Sequence, residues 1–296
     1  NKYSVDLLAA INGSPTQGFG YTTLMTNNGK MVNRGVEITL SGEIIRQKDF
    51  SWNASLLYAF NRNKVKHISV QPSLWDSRIS MPTSYPMVGK PLYGIYAYKW
   101  AGLNENGDPQ VYDAENNVTS GPARDYHALV YCGTTVPIHN ASLTNVLRYK
   151  GFEFSAMLIL DAGHKLRSSN IPSINMSNGR ITSTAKGIVD RWTQPGDVTD
   201  VPRLLFSNDT ENFNTHRTEL YRYSDLFVYD ASNIRLSNIS LAYRVPAHWC
   251  KKISLSGARL QFNVENVATF AFDSKANYDL GGKVKPNYVW GLYLNF

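Results

Sequence analysis

No stretch of this 296-residue sequence approaches the roughly 18 consecutive apolar residues of a membrane-crossing helix. The longest clean run, Phe154-Ser155-Ala156-Met157-Leu158-Ile159-Leu160, is far too short. A helical membrane protein is excluded. A membrane β-barrel is not, because each of its strands needs only about ten alternating residues. Cysteine is scarce: the two, Cys132 and Cys250, stand far apart and outside any C-x-x-C or Cys/His zinc spacing, which excludes a metal or redox motif. Sequence cannot place them within bonding distance, so two unpaired thiols is the default expectation. Charged residues make up only 18%, and 30 basic against 23 acidic side chains leave a net +7. The basic residues do not cluster; the densest knots, Arg62-Asn63-Lys64-Val65-Lys66 and Lys251-Lys252, are short. Nucleic-acid binding calls for a basic stripe or patch and is set aside. Diffuse positive charge near strand ends suits anionic lipid head groups as well as it suits a plain solvated surface. The opening Asn1-Lys2-Tyr3 has neither an initiator Met nor the charged start of a signal peptide, so either a mature N-terminus or a fragment is expected, with a fragment preferred.

Apolar material and aromatic rings are plentiful. Hydrophobic residues reach 43%, enough for a real core, which excludes wholesale disorder. The 18 Tyr, 12 Phe and 6 Trp suit strands, sugar stacking and membrane-interface girdles alike. The dominant local pattern is period two, which puts one set of side chains on each face of a strand. Val36, Ile38 and Leu40 alternate with Glu37, Thr39 and Ser41; Trp52, Ala54, Leu56, Tyr58 and Phe60 with Ser51, Asn53 and Ser55. Leu260, Phe262 and Val264 alternate with Arg259, Gln261, Asn263 and Glu265. Between Leu236 and Ile239 the phase slips near Asn238, the mark of a bulge. About ten strands follow: 3–11, 32–44, 50–62, 93–101, 109–113, 142–149, 152–162, 231–245, 254–266 and 288–296. One helix is expected over 182–193, weakened by Gly187.

Short and long connections alternate along the chain. The segments 46–49, 104–107, 150–151 and 246–252 are short, and 12–31, 63–92, 114–141, 163–230 and 267–287 are long. An up-and-down antiparallel sheet with tight turns at one edge and large loops at the other produces this, as outer-membrane barrels do. The parity requires 109–113 to count as a strand. A soluble sandwich would usually carry shorter loops at both ends, and alternation alone does not separate it from a barrel.

Several segments resemble the C-terminal half of SusC/RagA-like TonB-dependent transporters of the Bacteroidetes outer membrane. Asn28-Gly29-Lys30-Met31-Val32-Asn33-Arg34-Gly35-Val36-Glu37 is similar to the family's N-x-G-x-x-x-N-x-G-x-E region with one spacer altered. Trp52 through Asn61-Arg62-Asn63-Lys64-Val65 resembles its W…N-x-N-x-V strand. Gly89-Lys90-Pro91 with Gly102 through Gly107-Asp108-Pro109 resembles a G-x-P…G-x-x-x-x-G-x-P hairpin. Asp190-Arg191-Trp192, Pro195-Gly196-Asp197 and Asp200-Val201-Pro202-Arg203 resemble the RW…D-x-P-R loop. The segment 231–246 is similar to x-S-F-L-R-L-x-N-I-S-L-x-Y-x-x-P, with Asn233 where Phe is usual. The terminal Gly291-Leu292-Tyr293-Leu294-Asn295-Phe296, with alternate hydrophobics and a final aromatic, looks like the signal read by barrel-assembly machinery.

The resemblance implies an all-β fold: an antiparallel, up-and-down transmembrane β-barrel portion of about ten strands, the C-terminal part of a larger barrel of about 22 strands with a lumen plug. The plug and N-terminal strands would then lie outside residues 1–296. It also implies localisation in the outer membrane and import of nutrients, oligosaccharides first and peptides second. The implied partners are a SusD-like surface lipoprotein, the TonB-ExbB-ExbD system and outer-membrane lipid. No cofactor is expected.

The residues themselves offer no G-x-S-x-G, HExxH or P-loop, and no catalytic residue is assigned. The six histidines lack metal spacing, and Asn104–Asp108 is better read as an Asn-Gly turn than as a calcium loop. In a soluble glycosidase Glu37, Glu43, Glu153, Asp161 and Glu265 could supply an acid/base pair; in a barrel they line the lumen. Candidate ligand contacts are the loop aromatics Trp75, Tyr85, Trp192 and Tyr221, which could stack on sugars or simply pack loop on loop. Lumen candidates are Arg235, Gln261 and Asn263, which could bond a solute or a plug. Two rival classes stand beside the transporter: a soluble all-β carbohydrate-binding or adhesin module, and a glycoside-processing enzyme.

Overall fold

The computed structural model describes residues 2–12, 23–69, 77–121, 125–176, 185–206, 215–281 and 285–296. Eight strands form one sheet, each beside its neighbour in sequence. They are β1 (Lys2–Asn12), β2 (Thr23–Arg46), β3 (Phe50–Ile68), β4 (His139–Tyr149), β5 (Phe152–Ala162), β6 (Asn233–Arg244), β7 (Gly257–Ala271) and β8 (Asn287–Asn295). β1–β2 and every pair from β3 to β8 run antiparallel. Short links at 47–49 and 150–151 alternate with long ones at 69–138 and 163–232, while the links at 13–22, 245–256 and 272–286 are of intermediate length.

Two of the ten expected strands belong elsewhere. Gly94–Tyr98 pairs with Leu129–Thr134, while Trp100–Leu103, Pro109–Tyr112 and Val118–Thr119 make a small sheet of their own. The reason is visible in burial: all five positions of Gly94–Tyr98 are buried, so this segment is covered on both faces and forms the centre of a folded loop. Between β2 and β6 the long–short alternation survives without 109–113, because β3 and β4 are direct neighbours joined by a single folded excursion; the expected long loop 12–31 shortens to 13–22, because β2 begins at Thr23. Of the helix expected over 182–193, residues 182–184 lie outside the described residues and Lys186–Asp190 is a short 3-10 turn.

The chain divides into two compact units. The first comprises residues 1–34, 63–136 and 165–229, and the second 35–62, 137–164 and 230–296. Both hydrophobic clusters of buried residues lie in the first: Tyr96, Tyr98, Val111, Ala128, Leu129 and Leu220 in one, Ile174, Tyr221 and Phe227 in the other. A helix, Thr215–Arg222, supplies Leu220 and Tyr221. The long loops of this unit are thus a folded body with its own interior.

The second unit is built differently. Pairing register places Trp52, Leu147, Phe154, Leu241, Phe262 and Trp290 in one row across six strands, on one face. The adjacent row on the opposite face is Asn53, Val146, Ser155, Ser240, Asn263 and Val289. The large apolar side chains are bare: Val36 is 55% exposed, Leu241 45%, Leu294 42% and Trp290 78%. In water a continuous apolar face of this kind is a liability; facing hydrocarbon it costs nothing. Near the 47–49 and 150–151 turns a row of Phe50, Tyr149, Phe152 and Tyr243 adjoins Trp52, Phe154, Phe262 and Trp290, an aromatic band at one edge of the apolar face.

The bulge expected near Asn238 falls at Ser237. Met157 pairs with Asn238 and Leu158 with Leu236, so Ser237 is left out of register with β5. Against β7, Leu236 opposes Ala268 and Asn238 opposes Glu265, and Asn266 turns to φ 54°. The extra residue resets the alternation, and Leu236 and Ile234 return to the face of Ile239 and Leu241. Strand length fits a membrane as well. The 11 residues of β5, at roughly 3.3 Å each, span about 25 Å when tilted by about 45°. The two-faced register makes a direct prediction for the full protein in lipid vesicles. Leu158→Arg should lower folding stability by roughly 2–4 kcal/mol, and Ser155→Arg, on the polar face, by less than about 1 kcal/mol, as read by urea titration.

Candidate solute-facing site

The polar face of the sheet carries two charge-centred nodes. Asp161, at the end of β5, accepts from Asn140 Nδ2 at 2.7 Å through Oδ1 and from Arg235 Nη2 at 3.0 Å through Oδ2. Glu153, at the start of β5, accepts from Arg148 Nε at 2.8 Å and from Arg259 Nη2 at 3.1 Å. Between them Gln261 Nε2 donates to Asn263 Oδ1 at 3.0 Å and approaches Ser240 Oγ at 3.4 Å. Register explains the grouping: Glu153, Ala242 and Gln261 oppose one another, as do Ser155, Ser240 and Asn263 in the next row. These pairs are partly exposed, so each contributes on the order of 0–1 kcal/mol. Their chemical use is a hydrated, hydrogen-bonding wall. Of the three lumen candidates, Gln261 and Asn263 touch each other, and Arg235 stands in a separate node with Asp161.

In the loop unit the motif segments around 107–109 and 190–203, far apart in sequence, meet at one carboxylate. Asp108 accepts from Arg203 through Nε at 3.1 Å and Nη2 at 2.8 Å, and from Arg217 Nε at 3.1 Å. The Arg217 side chain is only 3% exposed. Its remaining donors reach the Ile174 carbonyl, Asn175 Oδ1 and the Arg203 carbonyl. Burial presses the Arg217 pKa down and Asp108 opposes the shift. Gly107 is required here twice over: its φ is +73°, and a Cβ would meet the Trp192 ring at 2.4 Å. Arg203 N donates to the Gly107 carbonyl at 3.0 Å, and Trp100 Nε1 to Asp200 Oδ1 at 3.0 Å. Asp197 accepts from the Thr193 and Gln194 amides, closing the turn at Gly196 and holding its own carboxyl below the usual range. Asn104 Oδ1 accepts from the Asn106 and Asp108 amides, so this segment is the expected Asn-Gly turn. The sequence motifs alone do not reveal that Asp108, Arg203 and Arg217 form one cluster. Nothing in the local pattern of Arg217 marks it.

The loop aromatics differ in their placement. Trp75 lies outside the described residues. Tyr85 is half-buried in a turn whose amide bonds to the Met81 carbonyl. Trp192 covers Gly107. Tyr221, expected on the surface, is 2% exposed and packs against Phe227 and Trp100, with ring centroids at 4.9 and 5.9 Å. Burial pushes its phenol pKa up. It also borders a cavity of about 460 Å³ shared with Arg167, Thr218 and Tyr223. Among the described residues no three His, Cys, Asp or Glu side chains gather as a metal site. Both cysteines are free.

Two predictions come from this geometry. Asp108→Asn leaves two guanidinium groups facing each other and should destabilise the loop unit by roughly 3 kcal/mol, seen as faster amide hydrogen exchange across 94–134 with β4–β8 unaffected. Burial raises the Cys132 thiol to about 11, so below that pH it stays protonated. At pH 8 the thiolate fraction is on the order of 0.1%, and iodoacetamide labelling of the native protein should be slower than that of a free thiol by a factor in the hundreds.

No family model matches the chain. Among curated proteins it is 24% identical over 294 residues to TonB-dependent receptor P3 of Formosa agariphila, covering 92% of this chain and 28% of that protein. It is 22% identical over 263 residues to TonB-dependent receptor SusC of Bacteroides thetaiotaomicron, covering 84% of this chain and 24% of SusC. The chain therefore spans about a quarter of the length of the curated relatives it matches. The solved RagAB peptide importer in its open-open state superposes with a TM-score of 0.70 at 21% identity, covering 99% of this chain and 32% of that one. A further RagAB peptide transporter structure gives 0.71 at 22% identity. Sequence and fold agree: this chain resembles the barrel portion of the SusC/RagA-like TonB-dependent receptors, a class of outer-membrane proteins.

Proposed function

We propose that this chain is part of the wall and loops of an outer-membrane, TonB-dependent transporter that imports oligomeric nutrients, oligosaccharides first among them. One observation carries the reading. The sheet turns rows of bare Leu, Phe, Trp and Val to one side and a hydrogen-bonded polar surface to the other. A wall between lipid and an aqueous passage needs both faces. The soluble-module and adhesin alternative would leave the same apolar rows in water, without a second layer among the described residues to cover them.

β8 has one sheet neighbour, β7, among the described residues, and an unpaired strand edge is not tolerated in hydrocarbon. Further strands of the same protein complete the wall in this reading, with a plug that engages the TonB-ExbB-ExbD system. The folded loop unit is the part suited to meet a SusD-like surface lipoprotein and the ligand. The relatives named as SusC and RagAB support that partnership.

The test is uptake by cells expressing the intact gene. Fluorescently tagged oligosaccharides should accumulate in a way that stops when the proton-motive force is collapsed, and a deletion strain should lose that accumulation. Unchanged uptake in the deletion strain, or a protein monodisperse in water without detergent, contradicts the reading.

A further inference from the structure

The loop unit carries an open cavity of about 460 Å³ between the segment 167–173 and the end of the helix Thr215–Arg222 with Tyr223. Its lining includes Ser168, Ser169 and Thr218, two arginines, Arg167 and Arg222, and no Asp or Glu among the described residues; Ser168 Oγ accepts from the Asn170 amide at 3.0 Å and Thr218 Oγ1 from Asn175 Nδ2 at 2.7 Å. Arg167 is fixed in place. Its Nη2 donates to the Tyr96 carbonyl at 2.7 Å, and its Nη1 to the carbonyls of Arg222 and Ser224 at 3.3 and 3.2 Å. Main-chain carbonyls orient a guanidinium without cancelling its charge. Burial lowers the Arg167 pKa, yet an arginine stays protonated in proteins. The Cys132 thiol beside it, raised to about 11, is neutral at physiological pH. The Tyr223 ring lies within 5.4 Å of the Arg167 guanidinium carbon and 5.8 Å of that of Arg222. Two cations therefore lie beside one aromatic ring at this cavity.

We propose that this cavity is a subsite for the carboxylate of an oligomeric ligand, with Arg167 and Arg222 binding the anion. The volume lies in the range of small-ligand pockets, so one end of an oligomer is the part expected to enter. Guanidinium–carboxylate hydrogen bonds are charge-assisted and directional, which gives such a site its selectivity over neutral ligands. The carboxylate can come from a uronic acid sugar or from a peptide C-terminus; both present the same group. The proposal rests on the import reading, because it assigns the ligand of the loop unit.

The experiment uses the full protein, solubilised in detergent, with four probes: trigalacturonate against maltotriose, and tetra-alanine against its C-terminal amide. Calorimetry should show the acidic member of at least one pair binding about tenfold more tightly than its neutral counterpart, with the difference shrinking in 0.5 M salt. A preference in the first pair alone names an acidic sugar; in the second alone, a peptide. Arg222→Gln, whose exposed side chain leaves the carbonyl contact to Arg167 intact, should abolish the preference, and Arg222→Lys should keep part of it. Equal binding within both pairs, no binding of any probe, or a preference untouched by Arg222→Gln overturns the proposal. Uptake is scored separately. Acidic preference without uptake removes the import reading and leaves the subsite standing, and uptake without acidic preference does the reverse.

Discussion

From β3 to β8 the backbone satisfies itself sideways, strand to strand, and the side chains are left to choose between two solvents. Successive rows across these strands alternate between a mainly apolar and a more polar set, with Val146 and Val289 as apolar members of a polar row. Trp52, Leu147, Phe154, Leu241, Phe262 and Trp290 share a face that no second layer covers among the described residues; Asn53, Val146, Ser155, Ser240, Asn263 and Val289 share the other. The arrangement would fail if one strand slipped by a residue, because a slip moves a whole side-chain set to the wrong side. The bulge at Ser237 is therefore a structural necessity: the sequence of β6 changes phase there, and the backbone absorbs the change so that Leu236 and Leu158 remain on the apolar side.

The loops of the first unit follow the opposite rule. Between 94 and 134 their strands are short, the helix Thr215–Arg222 has 8 residues, and their stability comes from a conventional buried interior around Tyr96, Tyr98, Val111 and Leu220. A single carboxylate, Asp108, ties the Pro109 hairpin to the segment ending at Arg203 and to the helix that carries Arg217. Gly107 makes that meeting possible by letting Trp192 lie against the backbone. One chain thus combines a sheet that leaves apolar groups exposed on one face with loops whose apolar groups are buried.

Much of this was legible in the residues. Period-two alternation gave the eight wall strands and their two faces, and the phase slip near Asn238 located the bulge to within one residue. The segments 93–101 and 109–113 were recognised as strands but assigned to the wall, because a short apolar run looks the same whether it is covered on one side or on both. Burial of every position in Gly94–Tyr98 is a tertiary fact. Of the two readings for the loop aromatics, stacking on sugars or packing loop on loop, Tyr221 follows the second, which only the helix that turns it inward reveals. The pairing of Gln261 with Asn263 was open to view in their spacing on one strand. The convergence of Asp108, Arg203 and Arg217 was not, since no periodicity links residues about a hundred positions apart. The cavity beside Arg167 was equally hidden.

The central claim, that one face of the sheet meets hydrocarbon and the other an aqueous space, is tested most directly by spin-label accessibility along β5 in lipid vesicles. Labels placed singly from Glu153 to Leu160 in the full protein report collisions with oxygen, which partitions into lipid, and with a water-soluble nickel complex. The account predicts a period of two: oxygen dominates at Phe154, Ala156, Leu158 and Leu160, and nickel at Glu153, Ser155, Met157 and Ile159. Uniform accessibility along the strand, or an alternation in the opposite phase, would contradict it.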